Sequence, residues 1–195
     1  MSTGSRKNTH KENLRTLILE TSINIISKTG YENLKMRLLA DSIDYSPRTI
    51  YLYFKNKEDL LNAVIEKVFS DTLTQMSSSE YSEMPPEEII RTMISRHIRN
   101  GLQQPALYRS VINGINREGH ESGPSESILS ERINRMFTNC LTIEKRENSV
   151  QISEILLASL RSTTLLLINK HANKEKRHIE KIIIIYSDII LRGIL

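Results

Sequence analysis

The stretch Leu38-Leu-Ala-Asp-Ser-Ile-Asp-Tyr-Ser-Pro-Arg-Thr-Ile-Tyr-Leu-Tyr-Phe-Lys-Asn-Lys-Glu-Asp-Leu-Leu61 decides the reading of this 195-residue chain. It has the pattern of a short helix, a tight turn, a second short helix and the start of a third. Ser46 is a favourable N-cap, and Pro47 follows at the first helical position, where its missing N–H costs nothing. The helix from Pro47 reaches to about Phe54 before Lys55-Asn56-Lys57 breaks it. Asn56 then caps the next helix, with Asp59 three residues on. On a 3.6-residue wheel Ile50 and Phe54 share one face, Arg48 and Leu52 the opposite one, and Thr49 and Tyr51 the flanks. The first face requires a core. The second combines a cation, a large apolar group, a hydroxyl and a phenol, the side-chain chemistry that reads base edges in a major groove.

The same stretch resembles the helix-turn-helix of the tetracycline-repressor (TetR) family of bacterial regulators. The residues that carry the resemblance are Leu39-Ala40 before the turn, then Ser46, Thr49, Ile50, Tyr51, Phe54, Lys57, Glu58, Leu60 and Leu61. Ile18-Leu19-Glu20 and Gly30-Tyr31 match the family's first helix and the bend after it. The resemblance covers roughly Leu14 to Val68. Asp44-Tyr45 stands where the family usually has Gly-Val, and Asp is among the few residues that tolerate a left-handed turn position. Lys35 stands where a Thr or Ser often caps the second helix.

Charge supports the same assignment. Residues 1–57 hold 10 Lys/Arg and 5 Asp/Glu, a net +5, whereas the remainder holds 17 and 18, a net −1. A basic segment joined to a near-neutral one is the electrostatic footprint of a nucleic-acid-binding domain with an attached second domain. The single cysteine, Cys140, has no internal disulfide partner, which points to a reducing cytoplasm. The N-terminus is polar and basic, unlike a signal peptide. No uninterrupted apolar run approaches the ~20 residues of a membrane span.

The fold expected is all-α: a three-helix DNA-binding domain over residues 11–71 and an all-helical effector and dimerisation domain over 72–195. The 5 prolines, at positions 47, 85, 86, 105 and 124, sit at expected helix boundaries. Helices are expected over Lys11–Thr29, Met36–Ser42, Pro47–Phe54, from Asn56 for at least five turns, Glu87–Gln104, Pro105–Ile115, Ser125–Glu144, Val150–His171 and Lys174–Leu195. The stretch Ser77-Ser78-Ser79-Glu80 to Pro85-Pro86 reads as a loop. Arg6, Lys7 and Lys11 can either reach phosphate or stay in solvent.

Arg48 is the candidate for a base edge, since a guanidinium binds guanine O6 and N7 with two bonds; a phosphate contact is its alternative. Leu52 would touch a thymine methyl. The resemblance implies further DNA contacts at Lys35, Arg37, Ser46, Pro47, Thr49, Tyr51, Tyr53 and Lys57. Tyr53 lies nearer the buried edge, and the Thr49 hydroxyl can instead satisfy backbone. The resemblance also implies an effector pocket among the fifth to eighth helices, with Met93, His97, Tyr108, Ile112, Phe137, Cys140 and Leu160 as candidate lining. Core packing is the plain alternative for each. The last two helices carry more apolar residues than one buried stripe needs, so a dimer interface is expected there through Ile184, Ile189, Leu191 and Leu167. No His, Cys or acidic spacing suggests a metal site, no nucleophile–base pair suggests catalysis, and no cofactor motif occurs. The partners expected are double-stranded DNA, a small-molecule effector and a second copy of the chain, with no membrane. A protein partner in place of the small molecule is the alternative.

Overall fold

A computed structural model describes residues 3–76, 81, 84–141, 143–170 and 176–194. The described residues are predominantly helical and contain no strand. The helices are α1 (Thr3–Thr29), α2 (Met36–Asp41), α3 (Pro47–Tyr51), α4 (Lys57–Met76), α5 (Pro86–Gln103), α6 (Pro105–Ile115), α7 (Pro124–Cys140), α8 (Ser149–Lys170) and α9 (Lys176–Ile194). Short 3₁₀ turns occupy Tyr31–Asn33 and Ile143–Asn148. The helix α1 begins well before Lys11; the side chains of Arg6 and Lys7 lie outside the described residues, as does the expected loop at Ser77–Glu80.

Two compact units form. The first contains residues 1–68 and 106–121, and the second 69–105 and 122–195. The first unit therefore includes α6, whereas the sequence-based expectation divides the chain once, between residues 71 and 72. Gly114 and Ser110 supply the physical reason. A Cβ at Gly114 would lie 2.6 Å from Ile65 Cδ1 and 3.3 Å from Leu61 Cδ2, so the missing side chain lets α6 lie directly on α4. Ser110, buried on α6, accepts the Tyr31 N–H at 3.0 Å and donates to the Ala106 carbonyl at 2.7 Å. Arg117 donates to Asn62 Oδ1 at 3.1 Å.

In the first unit α1 and α2 contribute Ile18, Ile26 and Leu39, all buried, and α3 and its exit contribute Ile50 and Phe54. Gly30 ends α1 with φ 82, a conformation that L side chains rarely adopt. The tight turn between α2 and α3 turns on Asp44, the one non-glycine residue with positive φ (59) among the described residues. An aspartate does here what a glycine does elsewhere, because its short polar side chain tolerates the left-handed well.

The second unit is built on α5, which packs against α7, α8 and α9. Its i, i+4 stripe of Ile90, Ile94 and Ile98 is buried, with Gly101 at the end. On its rim Arg91 pairs with Asp188 at 2.6 Å and Arg99 with Glu180 at 2.7 Å. Partner numbers that fall as α5 numbers rise show that α5 and α9 run antiparallel. Tyr186 Oη donates to Ser159 Oγ at 3.0 Å, tying α9 to α8. The segment Lys145–Lys170, which contains α8, is apolar and long enough by composition alone to cross a bilayer, although Glu154 and Arg161 interrupt it. Its most apolar window, of mean hydropathy 1.3, is only 28% buried within the chain.

Candidate nucleic-acid interface

The reading element is five residues long, too short to persist unaided. Its two ends are anchored locally. Ser46 Oγ accepts the Thr49 N–H at 3.2 Å, and the two hydroxyls of Ser46 and Thr49 are hydrogen-bonded at 2.9 Å. Beyond Tyr51 the backbone tightens, and the N–H groups of Tyr53 and Phe54 both reach the Ile50 carbonyl at 3.0 Å. Asn56 Oδ1 then accepts the Asp59 N–H at 2.7 Å, while Asp59 Oδ2 accepts the Lys55 N–H at 2.9 Å, so α4 starts from a reciprocal cap. With both ends held, Ile50 and Phe54 are driven fully into the core and the opposite face stands free. Leu52 is 74% exposed and Tyr51 50%, with Arg48 exposed beside them. Tyr53 is half-buried, as is Pro47.

Around that face, Lys35 and Arg37 are exposed at the start of α2. Lys35 sits at the N-cap position in an extended conformation, with no side-chain bond to the helix. Lys57 is partly engaged within the protein: its Nζ donates to the Glu32 carbonyl at 3.1 Å and lies 4.3 Å from the centre of the Tyr31 ring. Burial, then the charge of Glu58, hold the Tyr31 phenol above its ordinary pKa, so a neutral ring faces the ammonium.

The candidate effector residues fall in both units. Tyr108 and Ile112 lie on α6 and belong to the first unit. Phe137 and Leu160 are packed into the core of the second unit, with Met93 against its edge. The Cys140 side chain lies outside the described residues. His97 keeps some accessible surface, yet the protein mass around its ring, and then the Arg161 guanidinium, press its pKa down to about 4. It is therefore neutral at physiological pH. A cleft of about 400 Å³ opens between α7 and α8, lined by Glu126, Asn134, Ser153 and Arg161 among others. None of the six expected pocket residues whose side chains are described lines it.

The dimer candidates also separate. Ile184 and Ile189 are 58% and 63% exposed. Leu191 and Leu167 are 3% and 2% exposed and sit inside the core of their own unit, leaving no side-chain surface for a partner. This corrects their placement at the interface. The buried stripe of α9 follows Ile183, Ser187 and Leu191 at i, i+4 spacing and so drifts round the helix, bringing Leu191 inward although it lies almost above Ile184.

Ser110, Gly114 and Arg117, which hold α6 to the reading unit, are not among the residues that the sequence singles out. A signal existed in Gly114, since a glycine inside a helix costs about 1 kcal/mol against alanine and so invites a packing reason.

A short helix anchored at both ends, with an exposed cationic and apolar face, in the basic N-terminal segment, defines a helix-turn-helix DNA-binding regulator. Residues 18–64 match the sequence profile of the bacterial regulatory proteins of the tetR family, and the chain belongs to the TetR family of transcriptional regulators. It is 24% identical to the fatty acid metabolism regulator protein of Bacillus subtilis (strain 168) over 145 residues, covering 62% of this chain and 75% of that protein. It is 26% identical over 151 residues to the transcriptional repressor KstR of Mycobacterium tuberculosis, covering 75% and 69%. The structure of FadR from Bacillus subtilis, solved in complex with stearoyl-CoA, superposes with a TM-score of 0.70 at 16% identity, over 92% of this chain and 99% of that one.

Proposed function

We propose that the chain is a ligand-responsive repressor that binds a palindromic operator in the cytoplasm as a homodimer. The observation that carries this reading is the pairing of two exposed surfaces: the Arg48/Leu52 face of α3, and an aliphatic face on α8 and α9. On α9 that face holds Ile185 and Ile189, and on α8 it runs through Ile155 and Leu166, all exposed; Ile184 is exposed on a separate edge, beyond Lys181, Asp188 and Arg192. Ile155 and Leu166 share one side of α8, with Ala158 and Ser162 between them, so a facing helix can approach closely. Residues so apolar in water call for a covering surface, and a two-fold mate supplies it with the same patch.

In this reading two copies of α3 enter successive major grooves about 34–36 Å apart. An effector that binds better to a dimer with a different separation releases DNA in proportion to its differential affinity. The core around α5 is mainly aliphatic, which suits a flexible hydrocarbon chain better than a flat aromatic one. The named relatives point the same way, one being a fatty acid regulator and one a structure with stearoyl-CoA. A second reading, a protein partner instead of a small molecule, is favoured by the close packing of Phe137 and Leu160 in that core. Thermal-shift titration with stearoyl-CoA separates the two. A rising melting temperature together with release from a selected operator supports the effector; no shift and no release favours the protein partner.

A further inference from the structure

We infer that each operator half-site of this regulator carries a thymine whose C5-methyl packs on Leu52, one to two base steps from a single guanine held by Arg48. The inference rests on the DNA-binding reading above and deepens it by naming the chemistry of the base sequence recognised.

Four polar side chains border the outer face of α3: Ser46, Arg48, Thr49 and Tyr51. Ser46 and Thr49 bond to one another at 2.9 Å, and Ser46 also accepts the Thr49 N–H at 3.2 Å. Of their two hydroxyl protons one is consumed in that pair, whichever oxygen donates. The proton that remains can serve one acceptor, and the pair sits at the helix start, where phosphate contacts are made. Neither side chain is an amide or guanidinium able to bind one base with two bonds, which is what strong hydrogen-bond discrimination requires. Arg48 is the only side chain between Ser46 and Phe54 with that capacity.

The residue that protrudes most from this face is instead a leucine. Leu52, at 74%, is the most exposed large hydrophobic side chain among the described residues. It lies one turn beyond Arg48 and points the same way. Its position is held from both sides, by the Leu52 N–H bonded to the Thr49 carbonyl at 3.2 Å and by the buried Ile50 and Phe54 flanking it. In the major groove the apolar group that distinguishes one base from the others is the thymine methyl. Four residues along a helix advance about 6 Å, and base pairs repeat every ~3.4 Å, so the methyl lies one to two steps from the Arg48 guanine. The net +5 of residues 1–57 supplies the sequence-independent attraction that brings this face to the duplex.

The test uses the full-length protein and a random duplex pool. Selection should return half-sites with a guanine and, one to two steps away, a thymine. Deoxyuridine at that thymine removes the methyl and nothing else, and should weaken binding about four-fold, the equivalent of the ~0.8 kcal/mol for one buried CH₂. Leu52→Ala, which changes an exposed residue and leaves the core intact, should bind the thymine and uracil duplexes alike. Normal selection with unchanged affinity at every thymine-to-uracil exchange overturns the methyl readout and leaves the DNA reading standing. A uracil effect that persists in Leu52→Ala assigns the methyl contact to another residue and overturns the role of Leu52. A folded protein that selects no sequence overturns both the inference and the DNA reading.

Discussion

The two exposed apolar surfaces of this protein differ in kind. On α3, Leu52 stands beside a guanidinium, a phenol and a hydrogen-bonded pair of hydroxyls. On α9, Ile185 and Ile189 are neighbouring branched aliphatics, which bring no donor or acceptor of their own, with the charged strip of Lys181, Asp188 and Arg192 along one side only. A mixed face suits a partner that alternates charge, hydrogen-bonding edges and methyl groups, as a duplex groove does. An aliphatic face suits a partner equally aliphatic, and in a symmetric assembly that partner is the same face of another copy. The lesson is that exposure alone does not identify an interface; the chemistry interleaved with the exposed carbons does.

The largest effect that can break this comparison lies on α9. Leu191→Glu puts a carboxylate into a filled core and should cost several kcal/mol, with loss of helical circular dichroism. Ile189→Glu, two residues earlier, should leave the helical signal intact while sedimentation shows dissociation to a monomer. Equal behaviour of the two variants would remove the distinction between the core and outer faces of α9. A wild-type protein that sediments as a monomer at micromolar concentration would remove the dimer.

On the other side of the comparison, Arg48→Ala should cost about 1–3 kcal/mol in operator binding and relax preference at one base pair per half-site. Anisotropy titrations against a set of single-base operator variants measure both. Unchanged affinity and preference would move Arg48 from the base edge to solvent.

The second unit also carries a pH signature. His97 has a folded-state pKa near 4 against an ordinary 6.5, so the unfolded chain binds the proton more tightly. Its contribution to stability is complete above pH 6.5 and is lost as pH falls through the folded value, by up to about 3 kcal/mol. Melting temperature should therefore fall between pH 6.5 and 4, and His97→Gln should flatten that part of the profile. An identical profile for the variant would place the titration elsewhere.

Gly114→Ala tests the packing of α6 on α4. The new methyl must displace the Ile65 terminus, at about 1–3 kcal/mol, and recovers about 1 kcal/mol of helix propensity, so we expect a net loss of up to about 2 kcal/mol in chemical denaturation. No loss would mean that α6 yields without cost. The smallest effect is expected for Lys57→Ala. Binding to all duplexes should weaken evenly, and the salt dependence should flatten by up to about one unit. Because one donor of its ammonium already serves the Glu32 carbonyl, a smaller change than a free phosphate ligand would give is the sharper expectation.

What the sequence determined by itself is local. Ser46, Pro47, Asn56 and Asp59 act within three or four residues of where they stand, and the structure shows the Ser46 and Asn56 caps and the left-handed Asp44 that this local chemistry implies. The wheel of α3 is equally local, and it separates Ile50 from Leu52 without reference to any other part of the chain. Tertiary structure alone decided the rest. Ser110 meets the Tyr31 N–H across 79 positions of sequence, and no propensity on α6 announces that bond. Leu191 and Ile189 are alike as letters, both apolar and two residues apart, yet one is in the core and the other in solvent. Which of them is buried depends on the angle at which α9 crosses its neighbours, and that angle is set by side chains from α5 and α8 far away in sequence.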